Sequence, residues 1–349
     1  MVFAQKLQVP VVISDIDQAR VDKGLDYIRG QAQMLAEKGR ISVEQAEGLS
    51  ALVTGSVDKG VYADADFIIE AVFEEIGVKK QVFAELEEIV SPEAVLATNT
   101  SSLSVTEMAA DLKHPERVIG FHFFNPVAVM PLIEIARTPE TADEPIAAAF
   151  QLAADLRKTP VLSLDSTAFV VNRVLLRLMA EVQKAFDEGT DAKTADGALG
   201  PIGLPMSPFT LLAMVGIPVA QHVTESLHAS FGDRFYVSEN LQRLIDNGVT
   251  EIWSREEDGS VAIKDSTREL LPQGQSRRSA EEILTTVEDA LAEEIGLLLD
   301  EAVVASPKDV DLCMILGAGW PMHRGGITPY LDQCGASERV NGRRFDAAV

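Results

Sequence analysis

In GFHFFNPVAVMPLIEIAR, residues 120–137, a single histidine, His122, is followed twelve residues later by Glu134 inside an apolar run. A carboxylate among Leu132, Ile133 and Ile135 is costly unless it is paired. Paired with an imidazole, it would fix the ring tautomer and stabilise the imidazolium, as a general base requires. The plainer alternative is a core histidine satisfied within its own strand.

Three further stretches place polar groups beside apolar runs. LATNTSSLSV carries Asn99, Thr100, Ser101 and Ser102 straight after an apolar strand. Such hydroxyls and amides suit a polar ligand, and they also suit the N-cap of the helix that follows. ADFIIEAVFEEIGVKK brings Glu74 and Lys79 to a strand's C-terminal edge, or else forms a solvated helix start, where acids are favoured. In FVVNRVLL, Asn172 and Arg173 interrupt an apolar stripe. Asn172 either bridges backbone at a domain junction or offers a hydrogen bond to the cleft between sheet and helices.

VPVVISDID, residues 9–17, reads as a buried strand ending in Ser14 and Asp15. In dinucleotide-binding folds an acid at that place takes the adenosine ribose hydroxyls, about 20 residues after a glycine-rich loop. Counted back from Asp15, that loop would precede Met1. No Gly-x-Ser-x-Gly elbow, Walker loop or His-Glu-x-x-His competes. The two cysteines, Cys313 and Cys334, offer no disulfide framework and no metal site.

The elements that must position these groups alternate over residues 1–165. Short apolar runs and helical patterns suit parallel βαβ units in one twisted, mostly parallel sheet, with ligands at the strands' C-terminal ends. After about residue 168 the patterns are helical. A long helix is ended by Gly189, a polar connector covers 251–279 with EEDGS and LPQGQSRRS, and Ser279 with Glu282 predicts a capping box. GLPM at 203–206 recurs as GWPM at 319–322, and Asp187-Glu188 recurs as Asp300-Glu301, which predicts duplicated helical domains.

The formal charge of −24 over 349 residues argues against nucleic acid as a partner. An anionic ligand would have to be met by local Lys or Arg. No apolar run is long enough to span a membrane and no signal peptide is legible at the start, so the expected location is the cytoplasm.

Together, NTSSLSV, GFHFFNPVAVMPLIEI, FVVNR, GLPMSPFTLL and GAGWPMHRGG resemble the 3-hydroxyacyl-CoA dehydrogenases, in particular the dehydrogenase half of bacterial multifunctional fatty-acid oxidation proteins. The resemblance implies an α/β Rossmann-type NAD-binding domain over 1–165 and two all-α C-terminal domains, like those of 6-phosphogluconate dehydrogenase, over 166–265 and 266–349. It implies NAD-dependent oxidation of (3S)-3-hydroxyacyl-CoA to 3-oxoacyl-CoA. His122 would be the base, Glu134 its orienting carboxylate, and Ser101 and Asn172 the holders of the substrate oxygen. Asp15, Glu74, Lys79, Ser101 and Asn125 would serve NAD. The implied partners are an acyl-CoA substrate and a thiolase subunit or a separate hydratase-isomerase chain, in an oligomer.

The chain departs from the family's pattern in three places. The first strand, the Gly-x-Gly-x-x-Gly turn and most of the first helix are absent, with MVFAQKL resembling that helix's tail. A misplaced start, a split gene or decay would each explain this, and the last admits a non-catalytic remnant or partner subunit with weak NAD binding. Pyrophosphate binding should weaken without those amides, and neighbouring strands should expose unpaired edges. The family's Pro-Gly before FVVNR is here Thr167-Ala168, and Ala213 replaces a usual Asp.

Overall fold

The computed structural model describes residues 1–255, 261–271 and 274–346. They fall into two compact units, one of residues 1–100 and 105–162, the other of residues 101–104 and 163 onward.

The first unit opens with helix α1 (Val2–Leu7), which turns off at Gln8. Strand β1 (Val11–Ile13), helix α2 (Gln18–Glu37), helix α3 (Val43–Ala51) and strand β2 (Val53–Gly55) follow. Asp17 caps α2 by accepting from Arg20, and Ser42 with Gln45 forms a capping box on α3. β1 and β2 run parallel, with Val11 opposite Val53. Gly55 lets them pack beneath α2, because a Cβ there would lie 2.4 Å from Val21 Cγ1. Ala4, Ile28, Leu49 and Val53 fill this corner.

A second sheet carries the rest of the unit. Strand β3 (Phe67–Glu70), helix α4 (Ile76–Glu87), strand β4 (Val95–Thr98), helix α5 (Val105–Ala109) and strand β5 (Val118–Phe123) lead to strand β6 (Leu132–Arg137). Helix α6 (Asp143–Asp155) and strand β7 (Thr159–Leu164) complete it. The order is β3-β4-β5-β6-β7, with β3, β4 and β5 parallel and β6 antiparallel to β5. Val95, Ala97, Ile119, Phe121, Ile133 and Ile135 form its core beneath α6.

The single expected sheet is therefore two. β1 pairs only with β2 and β3 is an edge strand, among the described residues. β1 is half-buried rather than buried, as suits a strand in a two-stranded ribbon. β6 was not foreseen as a strand: its first five residues are all buried, so it lacks the alternation that marks a half-exposed strand.

The second unit is helical. Helix α7 (Val171–Glu188) ends at Gly189, whose φ of 124° and contact with Gly274 exclude a side chain there. Helices α8 (Ala192–Gly197), α9 (Pro208–Val215), α10 (Ile217–Phe231), α11 (Glu239–Asp246) and α12 (Asp265–Glu269) follow. In the connector, Ser254–Arg255 pairs antiparallel with Val261–Ala262. EEDGS at 256–260, with Pro272 and Gln273, lies outside the described residues. Helix α13 (Ala280–Asp300) starts at the Ser279–Glu282 capping box and packs along α7. Helices α14 (Pro307–Ala318), α15 (Ile327–Gln333) and α16 (Ala336–Asn341) close the chain.

GLPM and GWPM occupy like places. Asp196 on α8 accepts from Phe209 N, the second residue of α9, at 2.7 Å, and Asp311 on α14 accepts from Thr328 N, the second residue of α15, at 2.8 Å. Gly203 and Gly319 are both left-handed, with φ of 87° and 71°. The two turns also face each other: a Cβ on Gly319 would lie 3.2 Å from Pro205, and one on Gly203 3.9 Å from Pro321.

Candidate active site

The β5–β6 ladder sets His122 directly opposite Glu134. His122 Nδ1 lies 2.7 Å from Glu134 Oε2, and both side chains are buried, Glu134 completely. An ionised carboxylate can only accept, so Nδ1 is the donor, and in the neutral ring Nε2 is then the accepting nitrogen. The Phe124 ring packs at 4.5 Å from the imidazole and limits its rotation. The turn between the strands holds Asn125, exposed and joined to Pro126 by a cis bond. Lys158 Nζ fastens that turn by donating to Val127 O at 2.6 Å and Met130 O at 2.7 Å. Burial pushes the Lys158 pKa down, and the like charge of Lys6 adds to the fall.

A second buried polar group sits at the C-terminal ends of β3 and β4. Lys79 Nζ donates to both oxygens of Glu70, at 3.0 and 3.1 Å, and lies 3.4 Å from Glu74 Oε2. Thr98 donates to Glu70, and Thr100 Oγ1 donates to Glu74 Oε1 at 2.6 Å. The helix-start alternative is met by another residue: Glu75 caps α4 by accepting from Gly77 N and Val78 N. Glu74 is thereby left outside the helix, its side chain 26% exposed, while Lys79 is wholly enclosed. Asn99 Oδ1 accepts from Phe123 N at 3.3 Å and ties β4's end to β5's. Asp15 follows β1, exposed, with Oδ1 accepting from Ile16 N at 2.7 Å.

In the helical unit, Asn172 Nδ2 donates to the Ser101 carbonyl at 3.3 Å. The bridging alternative for Asn172 thus holds, and it brings Asn172 to Ser101. The structure pairs His122 with Glu134, Glu74 with Lys79, and Asn172 with Ser101. Glu70 and Thr98 were missed, although a carboxylate closing the apolar strand FIIE is itself a signal of a buried partner.

Two family models match the chain. The NAD-binding domain of 3-hydroxyacyl-CoA dehydrogenase matches residues 1–166, and the C-terminal domain of the same family matches 169–256. The fatty acid oxidation complex subunit alpha of Idiomarina loihiensis is 34% identical over 350 residues, covering 97% of this chain. This chain spans about half of that relative, 49% of its length. Among solved structures, 3-hydroxybutyryl-CoA dehydrogenase from Escherichia coli K12 superposes with a TM-score of 0.77 at 25% identity, covering 95% of this chain and 90% of its own. The (S)-3-hydroxybutyryl-CoA dehydrogenase PaaH1 from Ralstonia eutropha gives 0.67 at 29%, covering 72% and 89%.

Proposed function

Because the chain belongs to the 3-hydroxyacyl-CoA dehydrogenase family, we propose that it oxidises (3S)-3-hydroxyacyl-CoA to 3-oxoacyl-CoA with NAD. The observation that carries this reading is the buried His122–Glu134 pair, 2.7 Å from Nδ1 to Oε2. Nε2 takes the proton of the substrate's 3-hydroxyl, and the imidazolium so formed is stabilised by the Glu134 carboxylate at the far side of the ring. Ser101 and Asn172 donate hydrogen bonds to the C3 oxygen as it becomes a ketone. NAD, when bound, accepts the hydride from C3.

The acidic groups fit the cofactor's ribose hydroxyls, since carboxylates are acceptors for a diol. Asp15 is exposed for the adenosine ribose, and Glu74, fixed by Thr100 and Lys79, serves the other end with Asn125. Lys79 acts through Glu74, because its ammonium is enclosed.

We read the helical unit as two repeats, 166–265 and 266–349, on the matching Asp196 and Asp311 bonds. The alpha-subunit relative favours a multifunctional β-oxidation assembly, with a thiolase subunit or a hydratase-isomerase chain as partner. Among the described residues no helix is long and apolar enough to cross a membrane, and the reading as a β-oxidation enzyme carries with it a cytoplasmic site of action.

The split between the two sheets favours a second reading, a partner subunit with weak NAD binding. Fluorescence titration with NADH separates the two. Saturable binding below about millimolar, the upper range for enzymes, together with NADH formation from (S)-3-hydroxybutyryl-CoA supports the dehydrogenase. No saturation by that concentration sinks it.

A further inference from the structure

We propose that Glu294, in the last two turns of α13, and Glu301, which caps it, are positioning residues that hold Asn172 in place through Arg173. The proposal rests on reading Asn172 as a ligand of the substrate's C3 oxygen.

Arg173 is the third residue of α7 and is wholly buried. The first turn of a helix disfavours a cation, and a buried charge is costly unless paired. Neither cost would be met without compensation, and the structure supplies it from α13. Arg173 Nε donates to Glu294 Oε1 at 2.6 Å, while Nη1 donates to Glu301 Oε2 at 2.8 Å and to Ser166 Oγ at 3.1 Å. The other Glu294 oxygen accepts from Arg234 Nη1 at 2.9 Å. Both guanidinium groups lie over the Phe231 ring, at 4.2 and 5.1 Å. Two cations thus share two carboxylates and one aromatic ring.

The same end of α13 grips the segment leading into α7. Leu164 N donates to Val303 O at 2.8 Å, and Ser104 Oγ donates to Asp165 at 2.8 Å. Just beyond these anchors Ala168 and Phe169 have φ of 64° and 51°, two successive left-handed residues that are not glycine. Such a bend persists only where its surroundings over-determine it. Arg173 and Val303 bracket the bend, and Asn172, with its bond to the Ser101 carbonyl, comes directly after it. α13 itself bears none of the assigned site residues. Its acids nevertheless set where Asn172 points.

Glu301 is the clean place to test this. Its side chain is 42% exposed, and its loss leaves Arg173 paired with Glu294. Kinetics with (S)-3-hydroxybutyryl-CoA and hydrogen exchange of residues 164–172 are measured for Glu301→Gln, Asn172→Ala and the double variant. Glu301→Gln is expected to lower kcat about tenfold, a fraction of what an ångström of misplacement costs. NADH affinity should stay within about twofold, exchange over 164–172 should quicken, and the substitution should change little more in the Asn172→Ala background. A purely structural role would instead multiply the two losses.

Wild-type kcat with unchanged exchange, or multiplied losses, overturns the proposal. An inactive parent chain, or Asn172→Ala at the parent rate, removes the function read for Asn172. Exchange alone then decides whether Glu301 clamps the segment, and unchanged exchange overturns that too.

Discussion

Glu134 stands directly across the β5–β6 ladder from His122, its Oε2 2.7 Å from Nδ1 and its side chain wholly buried. A one-residue slip of that ladder would turn Glu134 to the opposite face, so strand register and the proposed base chemistry are one constraint. His122→Gln should lower kcat by roughly 10² or more, the scale of a general base. Glu134→Gln keeps an acceptor for Nδ1 but loses the charge, and kcat should fall about tenfold or more with KM little changed. Steady-state kinetics check both. A His122→Gln chain at the parent rate would remove the dyad from its role.

Asp15 and Lys79 were grouped by sequence as cofactor residues, yet their surroundings differ. Lys79→Met strands Glu70 and Glu74 without their cation, and should cost about 3–5 kcal/mol of stability. Asp15→Asn, at an exposed position, should leave stability within about 0.5 kcal/mol. It should weaken NADH binding roughly tenfold, as loss of a charge-assisted bond implies. Urea unfolding and NADH titration on both variants would separate the two roles, and a Lys79→Met chain as stable as its parent would refute the buried network.

The chemistry of the site was legible where a residue type was expensive in its setting. Glu134 among isoleucines announced a partner, and Ser279 with Glu282 or Gly189 announced helix ends, because these signals are local. Glu70 carries the same signal at the end of FIIE, but its partners Lys79 and Thr98, 9 and 28 residues away on a helix start and a neighbouring strand, are named by no local pattern. The sheet was legible in part: the absent first strand predicts unpaired edges, which β1 and β3 have among the described residues, but the division into two sheets was not read. Apolar runs locate strands, but which edges meet depends on pairings that no single run encodes. β1 to β5 and β7 therefore read as one sheet, and with β6 they fold as two.

Ala168 and Ala180 are both buried, one in a left-handed conformation with φ of 64°, the other inside α7. Ala180→Gly should cost about 2 kcal/mol, from helix propensity of about 1 and a lost methyl of about 0.8. Ala168→Gly loses the same methyl but relieves a left-handed penalty of about 1–2 kcal/mol, so its stability should stay within about 1 kcal/mol of the parent. Denaturant midpoints measure both. Equal losses at the two positions would show that the bend at Ala168 is not strained.

Asp311 offers a test of the second repeat through pH. Burial pushes its pKa above the ordinary aspartate value, with the nearby Asp332 charge adding to the rise, while the bonds from Thr328 pull the other way. A raised folded value means that the folded chain holds this proton more tightly than the unfolded chain does. Its contribution to stability is then full below the ordinary value of about 3.9 and is lost as pH rises through the folded value. Asp311→Asn has no such titration. The stability of the parent relative to Asp311→Asn should therefore fall between about pH 4 and the folded value, then level off above it. Urea unfolding of both chains across that range gives the difference directly. A difference that grows with pH would mean that the Thr328 bonds outweigh burial, and that this aspartate is held charged to anchor the start of α15.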